Sequence, residues 1–156
     1  MSSTGTEQSC ATSSAAEVTP RVRLSVAVDT PQHAALGGVL DYLGVPGLAV
    51  GTLVRAPLGR RTVPGIVWPS RPAVTIPDAQ LRELGEAFAT LPPLPASWLQ
   101  LVEFAAGYYQ RGIGELALSV LPPELRKLTA AQVDKRVARL LRTTPGATSD
   151  AAAPSW

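Results

Sequence analysis

Residues 22–28, Val-Arg-Leu-Ser-Val-Ala-Val, alternate larger apolar with smaller or polar positions, the two-residue period of a half-buried strand. Asp29-Thr30-Pro31 closes it, because proline has no backbone donor for a ladder. A second short strand is predicted at Val39-Leu40-Asp41-Tyr42-Leu43, between glycines, and a third at Gly51–Pro57. Leu58-Gly59-Arg60-Arg61 reads as a tight turn, with Gly59 free to take positive φ. Thr62–Trp68 is the return strand, and Pro64-Gly65 in its middle suggests an edge or a bulge. Short strands with frequent turns point to a small curled sheet or barrel.

Beyond Pro77 the period changes. Gln80–Thr90 has helical propensity but is short and contains Gly85, so propensity alone leaves its state open. Ser97 with Gln100 forms a capping-box pattern. Trp98, Leu101, Val102, Ala105, Tyr108 and Tyr109 then recur as one helical face, expected to be core, and Gly112 is expected to end that helix. Ile113, Leu116, Ala117, Val120 and Leu121 make a second stripe, stopped by Pro122-Pro123. Thr129 with Gln132 repeats the capping box. Val133, Val137, Leu140 and Leu141 make a third stripe, with Lys135, Arg136, Arg139 and Arg142 opposite. Residues 1–20 and the tail from Thr143 to Trp156 are small, polar and aperiodic, so both termini are expected to be disordered.

The net charge is only +2, but it is unevenly spread. Arg21, Arg23, Arg55, Arg60, Arg61 and Arg71 stand against Asp29 and Asp41 in residues 21–71. Arg126, Lys127, Lys135, Arg136, Arg139 and Arg142 stand against Glu124 and Asp134 in residues 124–142. The stretch between is acidic. Two basic blocks suit a nucleic-acid partner, since Lys and Arg neutralise phosphates and release counterions. Charge alone fits a solvated surface as well.

Cys10 and His33 are the only Cys and His. They exclude an intramolecular disulfide and argue against a zinc set or a Cys–His nucleophile pair. No metal or other cofactor and no catalytic residue is implied. Residues 1–20 do not read as a signal peptide, and no apolar run approaches a membrane span. The expectation is a cytoplasmic protein with no membrane partner.

Several motifs then occur in order. Leu40-Asp41-Tyr42-Leu43 is followed by Gly51-Thr52-Leu53-Val54-Arg55-Ala56-Pro57-Leu58-Gly59-Arg60-Arg61 and by Gly65-Ile66-Val67. Later come Phe104-Ala105-Ala106-Gly107-Tyr108-Tyr109-Gln110-Arg111-Gly112-Ile113-Gly114-Glu115 and Leu121-Pro122-Pro123-Glu124-Leu125-Arg126. This series resembles the N-terminal 3′ DNA-binding domain of PriA, the primosomal replication-restart helicase family of bacteria, over residues 22–128. Leu40 stands where the family commonly has Phe, Ala56 for Val and Leu58 for Phe. The family's phosphate loop, G-x-x-x-x-G-K-[ST], and its paired Cys-x-x-Cys motifs are absent from this sequence.

The resemblance implies an α+β fold, a small curled, barrel-like sheet followed by two packed helices. It makes Leu81-Arg82 part of a strand returning to the sheet. The organisation expected is a leader at 1–20, the DNA-end-binding domain at 21–128, and a basic helix with a tail at 129–156. That helix is a candidate start of the family's winged-helix domain.

The implied function is non-catalytic recognition of the DNA 3′ end at stalled or forked replication intermediates, with other primosome proteins as further candidate partners. The alternatives are a protein-interaction module or an inactive remnant. Carried over by position, the pocket consists of Leu40, Asp41, Tyr42, Gly59 and Arg82. An aspartate repels phosphate but accepts the proton of a free 3′-hydroxyl, so Asp41 would tell an end from a mid-strand position. Tyr42 would stack on the terminal base, Gly59 would let backbone approach the nucleotide, and Arg82 would pair with a phosphate. By residue type alone, Tyr42 fits the core, Asp41 a turn and Gly59 the hairpin; for Tyr42 and Arg82 both readings stay open. For Leu40, packing is favoured. Arg60 and Arg61, at the hairpin tip, are candidates for nonspecific phosphate contact. Trp68 and Trp98 are expected in the core.

Overall fold

The computed structural model describes residues 20–30, 38–70 and 76–143. Nearly all of the leader and tail, with Cys10, His33 and Arg71, lies outside the described residues. The described elements are β1 (Val22–Val28), β2 (Val39–Gly44), β3 (Leu53–Leu58), β4 (Arg61–Trp68), a 3₁₀ turn at Asp78–Gln80, α1 (Ala96–Tyr109), α2 (Ile113–Ser119), α3 (Pro123–Lys127) and α4 (Ala130–Thr143). This is the expected α+β arrangement.

The strands form one antiparallel sheet in the order β2-β1-β4-β3. β4 is thus central. Its register with β3 runs unbroken from Leu53 opposite Ile66 to Leu58 opposite Arg61, so the expected bulge at Pro64-Gly65 does not form. Proline is tolerated because the β1 ladder reaches only Gly65, opposite Val28; at Pro64 the strand has one described neighbour.

Side-chain alternation then makes two cores. Val26, Val28, Tyr42, Val54, Ala56 and Val67 pack together inside the curl, with Leu24, Leu40, Val63, Leu84 and Ala87 against them. Ala27, Leu53, Ile66 and Trp68 face the other way and pack with Phe88, Leu99, Val102, Ala106, Ile113, Ala117, Leu118 and Val133. Trp68 is buried and Trp98 packs at the edge of this outer cluster, as expected of both.

The segment after the 3₁₀ turn is extended, not helical. It makes isolated bridges, Leu43 to Glu83 and Val54 to Ala87, in place of a continuous strand. Leu43 N–H donates to Arg82 O (2.9 Å) and Leu84 N–H to Leu43 O (2.7 Å) on the β2 edge. Arg55 N–H donates to Glu86 O (2.7 Å) and Phe88 N–H to Leu53 O (3.0 Å) on the β3 edge. One strap therefore ties both edge strands, which satisfies their open ladders and holds the sheet curled.

The helices depart from expectation in phase. α1 begins after Pro95, whose φ of −68° suits a helix start, so Ser97 sits inside the first turn and makes no cap bond. Its buried face is Leu99, Val102 and Ala106. Phe104 and Tyr108, at 70% and 71% relative exposure, and also Leu101 and Tyr109, face away from the core. The tyrosine pair is therefore not core. Gln110, at φ 53°, caps α1, and Gly112 instead precedes α2. Val120, which follows the last residue of α2, is exposed, and Leu118 takes its place in the core.

The Thr129–Gln132 capping box is present: Thr129 N–H donates to Gln132 Oε1 (3.0 Å) and Gln132 N–H to Thr129 Oγ1 (3.4 Å). Val133 of α4 is buried in the outer core and Val137 packs on it, while Leu140 and Leu141 are exposed. The first turns of α4 thus dock on the same body as α1 and α2.

Candidate nucleic-acid interface

The β3–β4 turn is a two-residue hairpin, with Leu58 opposite Arg61. Gly59 has φ +61°, the left-handed conformation that a turn with glycine first requires. A Cβ there would meet nothing within 4 Å, so the glycine answers to conformation rather than crowding. Arg82, on the strap, donates from Nη1 to Gly59 O at 2.6 Å and pins the tip of the hairpin.

Beside this tip lies a cleft of about 290 Å³ lined by Leu40, Asp41, Tyr42, Pro57, Leu58, Gly59, Ile76, Gln80, Leu81 and Arg82. The five residues singled out from the sequence, spread from Leu40 to Arg82, all line it. β2, the hairpin and the strap supply one wall each.

Asp41 lies opposite Ser25 in the β1–β2 register. Ser25 Oγ donates to Asp41 Oδ1 at 2.8 Å, and Arg23 Nη1 lies 3.8 Å from Oδ2. Arg23 also pairs with Asp78 at 2.6 Å and donates to Ile76 O, tying the start of the strap to β1. The Asp41 side chain is only 10% exposed, yet its two oxygens offer about four acceptor positions. One hydrogen bond and one longer ion pair leave capacity for a further donor.

Tyr42 is 3% exposed, and its ring belongs to the inner core. Its hydroxyl donates to Pro57 O at 3.1 Å, joining β2 to β3 across the curl. Burial raises its pKa above 10.0, with Arg82's charge pulling partly the other way. The face expected to stack on a base is committed to packing, because the i, i+2 alternation that sends Leu40 inward sends Tyr42 there too. Leu40 is half-buried against the same core, as packing required.

Arg60 and Arg61 are exposed at the tip, and their side chains have no hydrogen bond or ion pair among the described residues. Sequence reasoning missed Ser25, Arg23, Pro57 and Gln80. Ser25 carried a signal, a polar residue in an apolar strand, but its partner depends on a β1–β2 register that no local pattern states.

Among the described residues no group of three His, Cys, Asp or Glu side chains could hold a metal, and no helix is long and apolar enough to cross a membrane. The family model of the PriA 3′ DNA-binding domain (3′BD) matches residues 25–122, well over half of the chain.

Proposed function

The chain belongs to the PriA 3′ DNA-binding-domain family, and from that premise we propose that the cleft holds the 3′-terminal nucleotide of a nascent strand at a stalled or forked replication intermediate. The observation that carries this is the placement of Asp41: a largely buried carboxylate, steadied by Ser25 and Arg23, on the wall of a nucleoside-sized cleft. A free 3′-hydroxyl donates to it in a charge-assisted hydrogen bond. An internal sugar, whose 3′ oxygen is esterified, has no proton to give, and its phosphate is repelled.

The other residues take roles their surroundings suit. Tyr42 and Leu40 form the apolar floor rather than a stacking platform. The Gly59 carbonyl, held by Arg82, sets the hairpin tip at the rim, where the remaining guanidinium N–H groups of Arg82 can meet a phosphate. Arg60 and Arg61 add sequence-independent attraction.

Asp41→Ala tests the reading, because two models predict opposite signs. Pure electrostatics has the variant bind DNA slightly tighter, since a negative charge is removed. The end-recognition reading has it bind 3′-hydroxyl ends more weakly by about 1.5–3 kcal/mol, the loss of a charged hydrogen bond. Titrations would compare end-labelled strands bearing 3′-hydroxyl or 3′-phosphate with circular single strands, after circular dichroism shows the variant folded. The parent should favour the 3′-hydroxyl strand. Equal or tighter binding of 3′-hydroxyl ends by Asp41→Ala would overturn the proposal.

A further inference from the structure

A second cleft, of about 450 Å³, lies along the β3–β4 hairpin and the strap. Arg55, Thr62, Gly85, Glu86, Lys127 and Thr129 line it, so no side chain in its wall is apolar apart from aliphatic stems. We infer that it is a subsite for the phosphodiester backbone about two nucleotides upstream of the 3′ terminus, with Lys127 and Arg55 as its cations. This rests on the end-recognition reading above.

The two clefts share their walls. Pro57 lines the first, and Thr62, its cross-strand partner in the ladder, lines the second. Leu81 and Arg82 of the strap line the first, and Gly85 and Glu86 line the second. Cross-strand partners stand about 5 Å apart, and three to four extended residues span roughly 10–13 Å. A strand whose end is held in the first cleft therefore needs only a short run of backbone to reach the second. The tip of the same hairpin carries Arg60 and Arg61, both exposed.

The chemistry of the second cleft suits an anion. Arg55 is held in place, donating from Nη2 to Leu128 O at 2.6 Å with its guanidinium 5.9 Å from the centre of the Phe88 ring. Preorganisation of this kind lowers the entropy lost on binding. The Lys127 side chain has no hydrogen bond or ion pair among the described residues. Thr129 Oγ1 accepts the Gln132 N–H, which leaves its own proton to donate. Glu86 is the one acid, and its Oε2 already accepts the Ala130 N–H at 2.9 Å in the first turn of α4. Two cations against one occupied carboxylate leave the cleft positive.

The test uses the whole chain and 3′-hydroxyl strands in which a single linkage is a neutral methylphosphonate, moved stepwise from the 3′ end. The parent should lose about three- to tenfold in affinity when the second or third linkage is neutral and little when a distant one is, as for one lost phosphate contact. Lys127→Ala should lose a similar factor on unmodified DNA and no longer sense which linkage is neutral. Glu86→Gln, which keeps the acceptor for Ala130, should bind slightly tighter.

Parent-like affinity in Lys127→Ala, a loss in that variant that ignores linkage position, or weaker binding by Glu86→Gln would each overturn the inference. The two readings fail separately. If Asp41→Ala weakens 3′-hydroxyl binding but the linkage pattern is absent or indifferent to Lys127, only the second cleft is refuted. If Asp41→Ala is neutral and no linkage pattern appears, the end-recognition reading falls first.

Discussion

Gly114→Ala separates what helix propensity says from what packing says. Gly114 is the second residue of α2 and is buried against β1. A Cβ built there would stand 1.8 Å from Val28 O and 2.2 Å from Val28 C, where ordinary contact begins at 3.4 Å. Both groups are backbone, so no side chain can swing aside, and α2 must retreat by roughly 1.5 Å or β1 must bend. Ile113, Ala117 and Leu118 are buried at the same interface. A gap of even 0.5–1 Å forfeits a quarter to a half of each dispersion contact. Full burial of an Ile or Leu side chain contributes about 1.5–3 kcal/mol. Losing about half of that for Ile113 and Leu118 costs roughly 1.5–3 kcal/mol. Replacing a helical glycine by alanine returns at most about 1 kcal/mol. The net expectation is destabilisation by about 0.5–2 kcal/mol, whereas propensity alone predicts stabilisation of up to about 1 kcal/mol. Urea unfolding followed by fluorescence of the buried Trp68 would read the difference. An unchanged or more stable Gly114→Ala protein would refute the close approach of α2 to β1. The first cleft takes no residue from α2, so the folded variant should still distinguish 3′-hydroxyl from 3′-phosphate ends.

Tyr42 carries a pH prediction. Its folded pKa is raised, so above about pH 10 the unfolded chain loses this proton while the folded protein keeps it, and stability falls as pH rises; Tyr42→Phe should flatten that alkaline decline in thermal melts from pH 9 to 11 while costing about 0.5–1.5 kcal/mol near neutrality for the lost bond to Pro57. Gln132→Ala removes one half of the α4 capping box and should cost about 0.5–1 kcal/mol. Its signature is faster hydrogen exchange in the first turn of α4, and unchanged binding of 3′-hydroxyl ends; a loss of end discrimination would contradict the assignment of that cap to structure alone.

Local rules were enough where one residue type has one physical outlet. The alternation in residues 22–28 gave β1 its observed limits, and Gly59 between two short strands specified a hairpin with positive φ at that residue. Thr129 and Gln132 found each other because a capping box spans a single turn. The order of motifs also carried the family, and with it the five residues that meet in one cleft.

Other features were beyond any local rule. α1 carries a single charged residue, Glu103, so its apolar positions fit more than one helical face; only contact with the sheet selects Leu99, Val102 and Ala106 and leaves Phe104 and Tyr108 outside. The strap was ambiguous because its backbone partners, Leu43, Leu53 and Arg55, come from two edge strands distant in sequence. The pairing of Ser25 with Asp41, the burial of Tyr42 and the facing of Arg55 with Lys127 all depend on register and on curl. Sequence thus determined which elements form and which residues carry chemistry, because propensities and turn requirements act over a few residues. Tertiary structure decided which face of each element is covered and which distant side chains share a wall, because burial is a property of the neighbours an element meets.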